Sequence, residues 1–262
     1  MLQSTFIHAQ GIGPATENAL WRQGATTWRA FLEIEPRLKL PLRHRDSLKS
    51  TVSESLAAVD ELRADYFARS LSQKEHWRAA LTFPALGFLD IETDGGFDAD
   101  SVTVIGVYDG CETRVYRRGH NLAQFAYECQ DFDGFVTFFG TGFDLPLLAR
   151  RFPVLKNVFA DRLHIDLCPL FKRLGHSGGL KRIEQQLRIP RIPETEGLNG
   201  RDAVRLWRVW QRGGCHAEEA LRLLTAYNRE DCVNMKLMLD YALPRLAAAA
   251  GLPESAAAPT PP

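Results

Sequence analysis

The apolar residues of this 262-residue chain change period at Phe83-Pro84, and that change limits the available folds more than any other feature. Before it, over about 49–82, Val52, Leu56, Val59, Leu62, Phe67 and Leu71 recur at spacings of three to five, the period of helices with one buried face. After it the pattern is that of strands. ALGFLDIE runs into the turn Asp94-Gly95-Gly96, SVTVIGVYD meets an Asp109-Gly110 hairpin signal, and ETRVYR follows. Helix and strand then alternate: NLAQFAYECQDF reads as a helix, GFVTFFG as a buried strand, FDLPLLARRF as a helix and RLHIDL as a strand. Beyond Cys168 the chain reads as helical, ending in a long segment from about Ala217 to Leu246. Three strands joined by tight turns, followed by alternating elements, predict an α/β fold with a mixed sheet flanked by helices.

The organisation expected along the chain is an N-terminal unit over 1–35, a linker and helical segment over 36–83, the α/β domain over 84–246, and a disordered tail over 247–262. The stretch PRLKLPLRHRDS at 36–47 is basic and proline-punctuated, as a linker would be, and the tail ends in SAAAPTPP.

Composition excludes several classes. Hydrophobic residues make up 45% and charged residues 24%, which rules out a wholly disordered chain. No apolar run approaches the ~20 residues of a membrane span, and the N-terminus lacks the features of a secretory signal. The five cysteines are odd in number, scattered and never in a CxxC pair, which argues against a disulfide framework or a zinc knuckle and points to a reducing cytoplasm. Lys+Arg and Asp+Glu balance at 32 each, but unevenly: residues 88–140 carry a net −7 and residues 141–212 a net +7. An acidic block beside an arginine-rich one is compatible with a metal site next to a phosphate-binding surface, and equally with a compositional bias towards arginine.

Three carboxylate features stand out. Asp90 and Glu92 flank Ile91 at the end of the apolar run Leu86–Leu89, so on a strand they project to one side while Leu89 and Ile91 enter the opposite layer. Two carboxylates so close repel each other unless a divalent cation lies between them, although a solvated strand end would carry the same residues. Asp144, in Gly142-Phe143-Asp144, follows a buried strand. It can serve as a helix N-terminal acid or stand at the carboxyl end of the sheet, where α/β sites form. Tyr227 and Asp231 lie at i and i+4 on the last helix, flanked by Leu223, Leu224 and Met235. An Asp on that face needs a metal or an arginine as partner.

Taken in order, DxE on the first strand, FD after a later one and YxxxD on the final helix resemble the DEDD group of 3′–5′ exonucleases. That group belongs to the ribonuclease H-like, or DnaQ-like, superfamily, and the tyrosine marks the DEDDy type. The chain is most similar to the YprB-like ribonuclease H-like domain, supported by HIDL at 164–167, GGLKRIEQQL at 178–187, GLNGRDAVRLW at 197–207 and TAYNREDCVNM at 225–235. The resemblance spans roughly 84–246. It implies that Asp90, Glu92, Asp144 and Asp231 hold two divalent metal ions, Mg²⁺ or Mn²⁺, and that Tyr227 orients the attacking water. The phenol, with a reference pKa near 10, suits hydrogen bonding better than proton abstraction. Many DEDD members carry Asn five residues before the second Asp, where this chain has Phe139. Asp166 falls near the site by analogy but outside the four-ligand set.

Residues 6–32 resemble a helix-hairpin-helix motif, with Gly11-Ile12-Gly13 as the hairpin and Pro14 at the first position of the following helix. The backbone N–H groups at Gly11 and Gly13 would meet a DNA phosphate, or the hairpin would pack against protein. Trp21, Trp28 and Phe31 read as its small core. Arg201, Arg205, Arg208 and Arg212 recur at helical intervals within the basic stretch 181–212 and would line a strand-binding groove, or form a solvated face. The expected function is thus a metal-dependent 3′–5′ exonuclease whose partner is nucleic acid, single-stranded DNA before RNA, with no membrane partner. The alternatives are a non-catalytic nucleic-acid-binding module on the same fold, motivated by Phe139, and an RNA-directed ribonuclease.

Overall fold

The structure is a computed structural model and describes residues 1–253. Four helices come first: α1 (Pro14–Arg22), α2 (Trp28–Ile34), α3 (Leu42–Asp60) and α4 (Ala64–Ser70). Five strands follow, interleaved with helices: β1 (Leu86–Thr93), β2 (Val102–Tyr108), β3 (Thr113–Arg117), β4 (Gly134–Thr137) and β5 (Leu163–Asp166). The short α5 (Phe125–Glu128) precedes β4, and α6 (Asp144–Arg151) and α7 (Leu155–Ala160) precede β5. The chain then runs through α8 (Leu167–Arg173), α9 (Leu180–Leu187), α10 (Gly200–Arg212) and α11 (Ala217–Ala249).

The strands form one mixed sheet in the order β3-β2-β1-β4-β5. The hairpin signals account for the antiparallel half, in which β1 pairs with β2 and β2 with β3. Helical crossovers account for the other half, because parallel neighbours cannot be joined by a tight turn; β4 lies parallel to both β1 and β5. The expected mixed sheet flanked by helices is the fold found. Its two faces are covered separately. Leu89, Ile91, Ile105, Phe135, Leu147 and Leu148 are buried on one side. On the other, Phe88, Val136, Ile165 and Phe171 pack against Met235, Met238 and Leu239 of α11. The strand alternation is as read: Leu89 and Ile91 share the first layer, whereas Asp90 and Glu92 do not enter it.

The N-terminal 83 residues pack differently from the expectation of a unit on a linker. The basic stretch after residue 41 is the first turn of α3, not extended chain; Arg45 Nη2 donates to Leu38 O at 2.9 Å and Nε lies 3.4 Å from Glu35. Leu62, read as a helical core position, is 74% exposed and in a left-handed conformation (φ 55) just beyond the end of α3. Trp28, Phe31, Val52 and Phe67 form a continuous core with Phe83 and with Leu163 of β5. Within the N-terminal region Glu17 and Arg78 form a buried ion pair at 3.1 Å, and Arg173 of α8 reaches Glu75 at 3.1 Å. Arg78 also reaches Glu75 at 2.8 Å, and Glu17 accepts the Phe6 N–H. Removing either partner would leave a buried charge uncompensated, so this joint tolerates substitution poorly.

The hairpin region keeps part of the motif it resembles. Pro14 opens α1, Gly11 has φ 79, and Ile12 is buried. The residues before it, however, hold only a 3-10 turn at Leu2–Ser4 in place of a first helix. Trp28 and Phe31 are fully buried and the indole of Trp28 donates to Thr5 O at 2.7 Å, so these rings are core as read. At the other end, α11 continues past Leu246, and Ala247 lies in the core; the remainder of the tail read as disordered, 254–262, lies outside the described residues. Among the described residues no helix is long and apolar enough to cross a membrane.

Two imidazoles sit at joints of this fold, His8 half-buried and His164 buried. His8 Nε2 lies 2.8 Å from Ser55 Oγ, beside Trp28 and Phe67, and His164 Nε2 lies 2.9 Å from Thr137 Oγ1. Burial disfavours the charged ring and lowers both to about 4. Between pH 6.5 and 4 the unfolded chain takes up protons that the folded chain refuses, so the stability these rings contribute is present above 6.5 and lost as pH falls towards 4. Histidine ring resonances followed by NMR should show both groups neutral down to about pH 4; a midpoint near 6.5 for either would contradict its burial.

Candidate active site

The site is built where α11 crosses β1 and β2. Gly106 on β2 stands opposite Asp90 of β1 in the ladder. A Cβ there would overlap Asn228 Oδ1 and lie 2.9 Å from Cys232 Sγ, so the missing side chain is what lets α11 approach the sheet this closely. Asn228 uses that proximity: its Nδ2 donates to Asp90 Oδ2 at 2.8 Å and to Asp90 O at 3.2 Å. The same turn of α11 presents Tyr227 and Asp231 beside the end of β1.

Asp90, Glu92 and Asp231 each offer one carboxylate oxygen, all within 4.8 Å of one another. They line a cavity of about 330 Å³ together with Asp144, Phe139, Phe143 and Tyr227. Asp144 is the first residue of α6 and is buried in the wall of this cavity, beside the three-carboxylate cluster and not within it. Thus the structure brings together all five residues singled out from the motifs, three of them at metal-ligand spacing.

Burial dominates the electrostatics. It raises the carboxyl groups of Asp90 and Glu92 well above the usual range; Asp231 and the other neighbouring carboxylates add to this by repulsion, while Lys181 opposes it. Asp144 is pushed up to about 7 by burial, partly offset by backbone N–H groups of its own residue and of Ile91. Asp231 is also raised by burial but is countered by two cations. Lys181 Nζ and Arg191 Nη2 both contact its Oδ1, and Lys181 sits 4.2 Å above the Tyr227 ring. Burial, followed by the surrounding carboxylates, raises the Tyr227 phenol, so it is a neutral hydrogen-bonding group. Asp90, Glu92 and Asp144 have no ion pair among the described residues. Unpaired, buried, oxygen-only donors in a small cavity fit a hard divalent cation.

The residues read from the arginine-rich stretch separate into two groups. Lys181 and Arg191 point inward to Asp231. Arg201, Arg205 and Arg208 are exposed on α10, whose Gly200 and Val204 line the carboxylate cavity. Arg205 pairs with Asp202 at 3.0 Å, and Arg208 donates to Asp94 O at 3.2 Å. Gly11 and Gly13 belong to the N-terminal hairpin and are not among the residues lining this cavity.

Two contributors went unassigned in the motifs. Asn228 was visible only as the residue after Tyr227. Asp166 accepts N–H bonds from Phe139 (2.8 Å), Thr141 (3.0 Å) and Cys168 (3.1 Å), so it caps α8 and ties down the loop that leads to Asp144. It is a loop clamp rather than a fifth ligand.

The family model for the RNase H superfamily matches residues 87–243, more than half of the chain. The chain belongs to the RNase H superfamily. No curated protein and no solved structure matches it. The matched span begins at the start of β1 and ends within α11, so it contains every carboxylate of the cavity. The superfamily's general chemistry is hydrolysis of nucleic acids, typically with divalent metals, and a nucleic acid is the substrate this domain implies.

Asn228→Ala should leave the fold largely intact but free the Asp90 carboxylate to rotate. Loss of such an outer partner typically costs about 10–100-fold in metal affinity. Mn²⁺ titration by calorimetry is the check, and unchanged affinity would show that Asn228 does not orient Asp90.

Proposed function

We propose that this protein is a metal-dependent 3′–5′ exonuclease of DEDDy type, acting on single-stranded DNA. The observation that carries this reading is the convergence of Asp90, Glu92 and Asp231 from two distant segments on one buried point, with Asp144 and Tyr227 in the same cavity. Asp90, Glu92, Asp144 and Asp231 would hold two divalent ions, Mg²⁺ or Mn²⁺. Such ions, when bound, activate water and offset charge on a phosphoryl group undergoing in-line displacement.

The chain's own residues prepare that chemistry. Asn228 holds Asp90 in one orientation, and Asp166 sets the loop that delivers Asp144. The raised phenol of Tyr227 keeps its proton at neutral pH and donates it as a hydrogen bond to position a water. In the metal-free site Lys181 and Arg191 offset the charge of Asp231, a role the cations would share once bound. Arg201, Arg205 and Arg208 would meet backbone phosphates at the cavity's edge, and Gly11 and Gly13 would offer backbone N–H groups to a more distant phosphate.

One observation favours a second reading, in which the domain binds nucleic acid without cutting it: Asp231 already has two cationic partners. Metal binding separates the two. Calorimetry should show Mn²⁺ sites for an exonuclease, and an absence of Mn²⁺ binding would support the binding module.

Purified protein with Mg²⁺ or Mn²⁺ should shorten 5′-labelled single strands from the 3′ end and leave circular strands intact. Asp90→Ala should reduce the rate by more than the roughly 10–100-fold that loss of an outer partner costs. Equal activity of wild type and Asp90→Ala would defeat the proposal, and cutting of circles or of RNA alone would redirect it to a ribonuclease.

Metal affinity should also depend on pH. Because Asp144 titrates at about 7 in the metal-free site, a proton must leave before it can ligate, so apparent Mn²⁺ affinity should rise from pH 6 to pH 8. Calorimetry in two buffers of different ionisation enthalpy should detect proton release at pH 6; no release would mean that Asp144 is already ionised there.

A further inference from the structure

The loop between β4 and α6 separates two cavities. One holds the carboxylates; the other, about 680 Å³, lies between this loop and α8, lined by Phe139, Thr141, Pro169, Leu170, Lys74 and Lys172. Phe139 lines both. Its side chain is 57% exposed, and its backbone adopts a left-handed conformation (φ 65) that Phe rarely takes. The loop is held in that conformation by Asp166, which accepts the Phe139 and Thr141 N–H groups, while Gly142 leaves the space that the Phe139 ring occupies. An aromatic plate is therefore fixed at the border of the carboxylate site, at the cost of backbone strain.

The neighbouring charges say what such a plate would receive. Lys74 and Lys172 are exposed on opposite segments of the same cavity, one from the N-terminal region and one from α8, and neither has an ion pair among the described residues. Apolar lining, an exposed ring and two ammonium groups together match the two parts of a nucleotide. The base can stack on the ring, and the phosphates can meet the lysines. The volume lies within the range of a small-molecule site.

We propose that this second cavity is a substrate subsite, which takes an unpaired nucleotide next to the bond being cut, its base on Phe139 and its phosphates between Lys74 and Lys172. This rests on the nuclease reading above and adds the residues that grip the strand. A base can reach the ring only when it is not paired, so the subsite selects single-stranded over duplex ends. Phe139, where an Asn stands in many DEDD members, then becomes a gain of stacking surface on the same turn.

The full chain tests this with a labelled oligothymidylate in Ca²⁺ buffer, read by fluorescence anisotropy. Phe139→Asn is the informative variant, since Asn accepts the left-handed backbone and removes the ring. It should weaken binding about tenfold with an unchanged melting temperature. A 2-aminopurine base quenched by stacking in the wild-type complex should regain emission in this variant. The double variant Lys74→Ala/Lys172→Ala should lower the slope of log affinity against log salt by about 1.4, or 0.7 for each lost phosphate contact. Wild-type affinity and slope in both variants would overturn the subsite while leaving the nuclease reading intact. If the wild type binds no oligonucleotide and degrades none, both fail together.

Discussion

The close approach of α11 to the sheet at Gly106 is the constraint on which the rest of this structure depends. Any side chain there would meet Asn228 and Cys232 and force the helix outward. With the helix seated, three consequences follow from one contact: Asn228 reaches Asp90, Tyr227 enters the cavity, and Asp231 comes within 4.8 Å of carboxylate oxygens from a strand about 140 residues earlier. Met235, Met238 and Leu239, further along the same helix, bury themselves on the sheet and hold the position. Packing thus supplies the force that brings like charges together.

That juxtaposition is electrostatically unfavourable, and the structure answers it unevenly. Asp231 receives Lys181 and Arg191, whereas Asp90 and Asp144 receive only hydrogen bonds, and Asp90, Glu92 and Asp144 have no ion pair among the described residues. A site left in that state stores a demand for positive charge, which a divalent cation meets with oxygen ligands already in place. The balanced net charge of the chain conceals this. The acidic block holds Asp90 and Glu92, Asp144 opens the basic block, and part of the basic block, Lys181 and Arg191, folds inward onto a carboxylate instead of facing solvent.

The N-terminal 83 residues pack against the α/β part. The shared core that includes Leu163, and the ion pair between Glu75 and Arg173 of α8, join the two. Lys74, contributed by this region, lines the cavity that Phe139 also lines. Basic, proline-rich composition at 36–47 misled the linker reading because helix formation there is decided by packing of Leu48 and Val52, not by the first turn's own preferences.

Much of the fold is legible in the sequence alone. Period-2 alternation and turn dipeptides determined the strands; the 3.6-residue period determined α11; the DxE spacing alone required Asp90 and Glu92 to share a face, because side chains alternate along a strand. Only the tertiary structure decided which partners those carboxylates meet. Asn228 could not be singled out, since its role depends on an absent Cβ on β2. Nor could the role of Asp166, whose three N–H donors come from two separate segments. The placement of Lys181 and Arg191 on Asp231, of Phe139 between two cavities, and of Lys74 and Lys172 in one cavity likewise arises from segments distant in the chain. The sequence determines local periodicity because φ, ψ and side-chain direction are local. Contacts between distant segments follow from the packing of whole layers, and the chemistry of this site resides in those contacts.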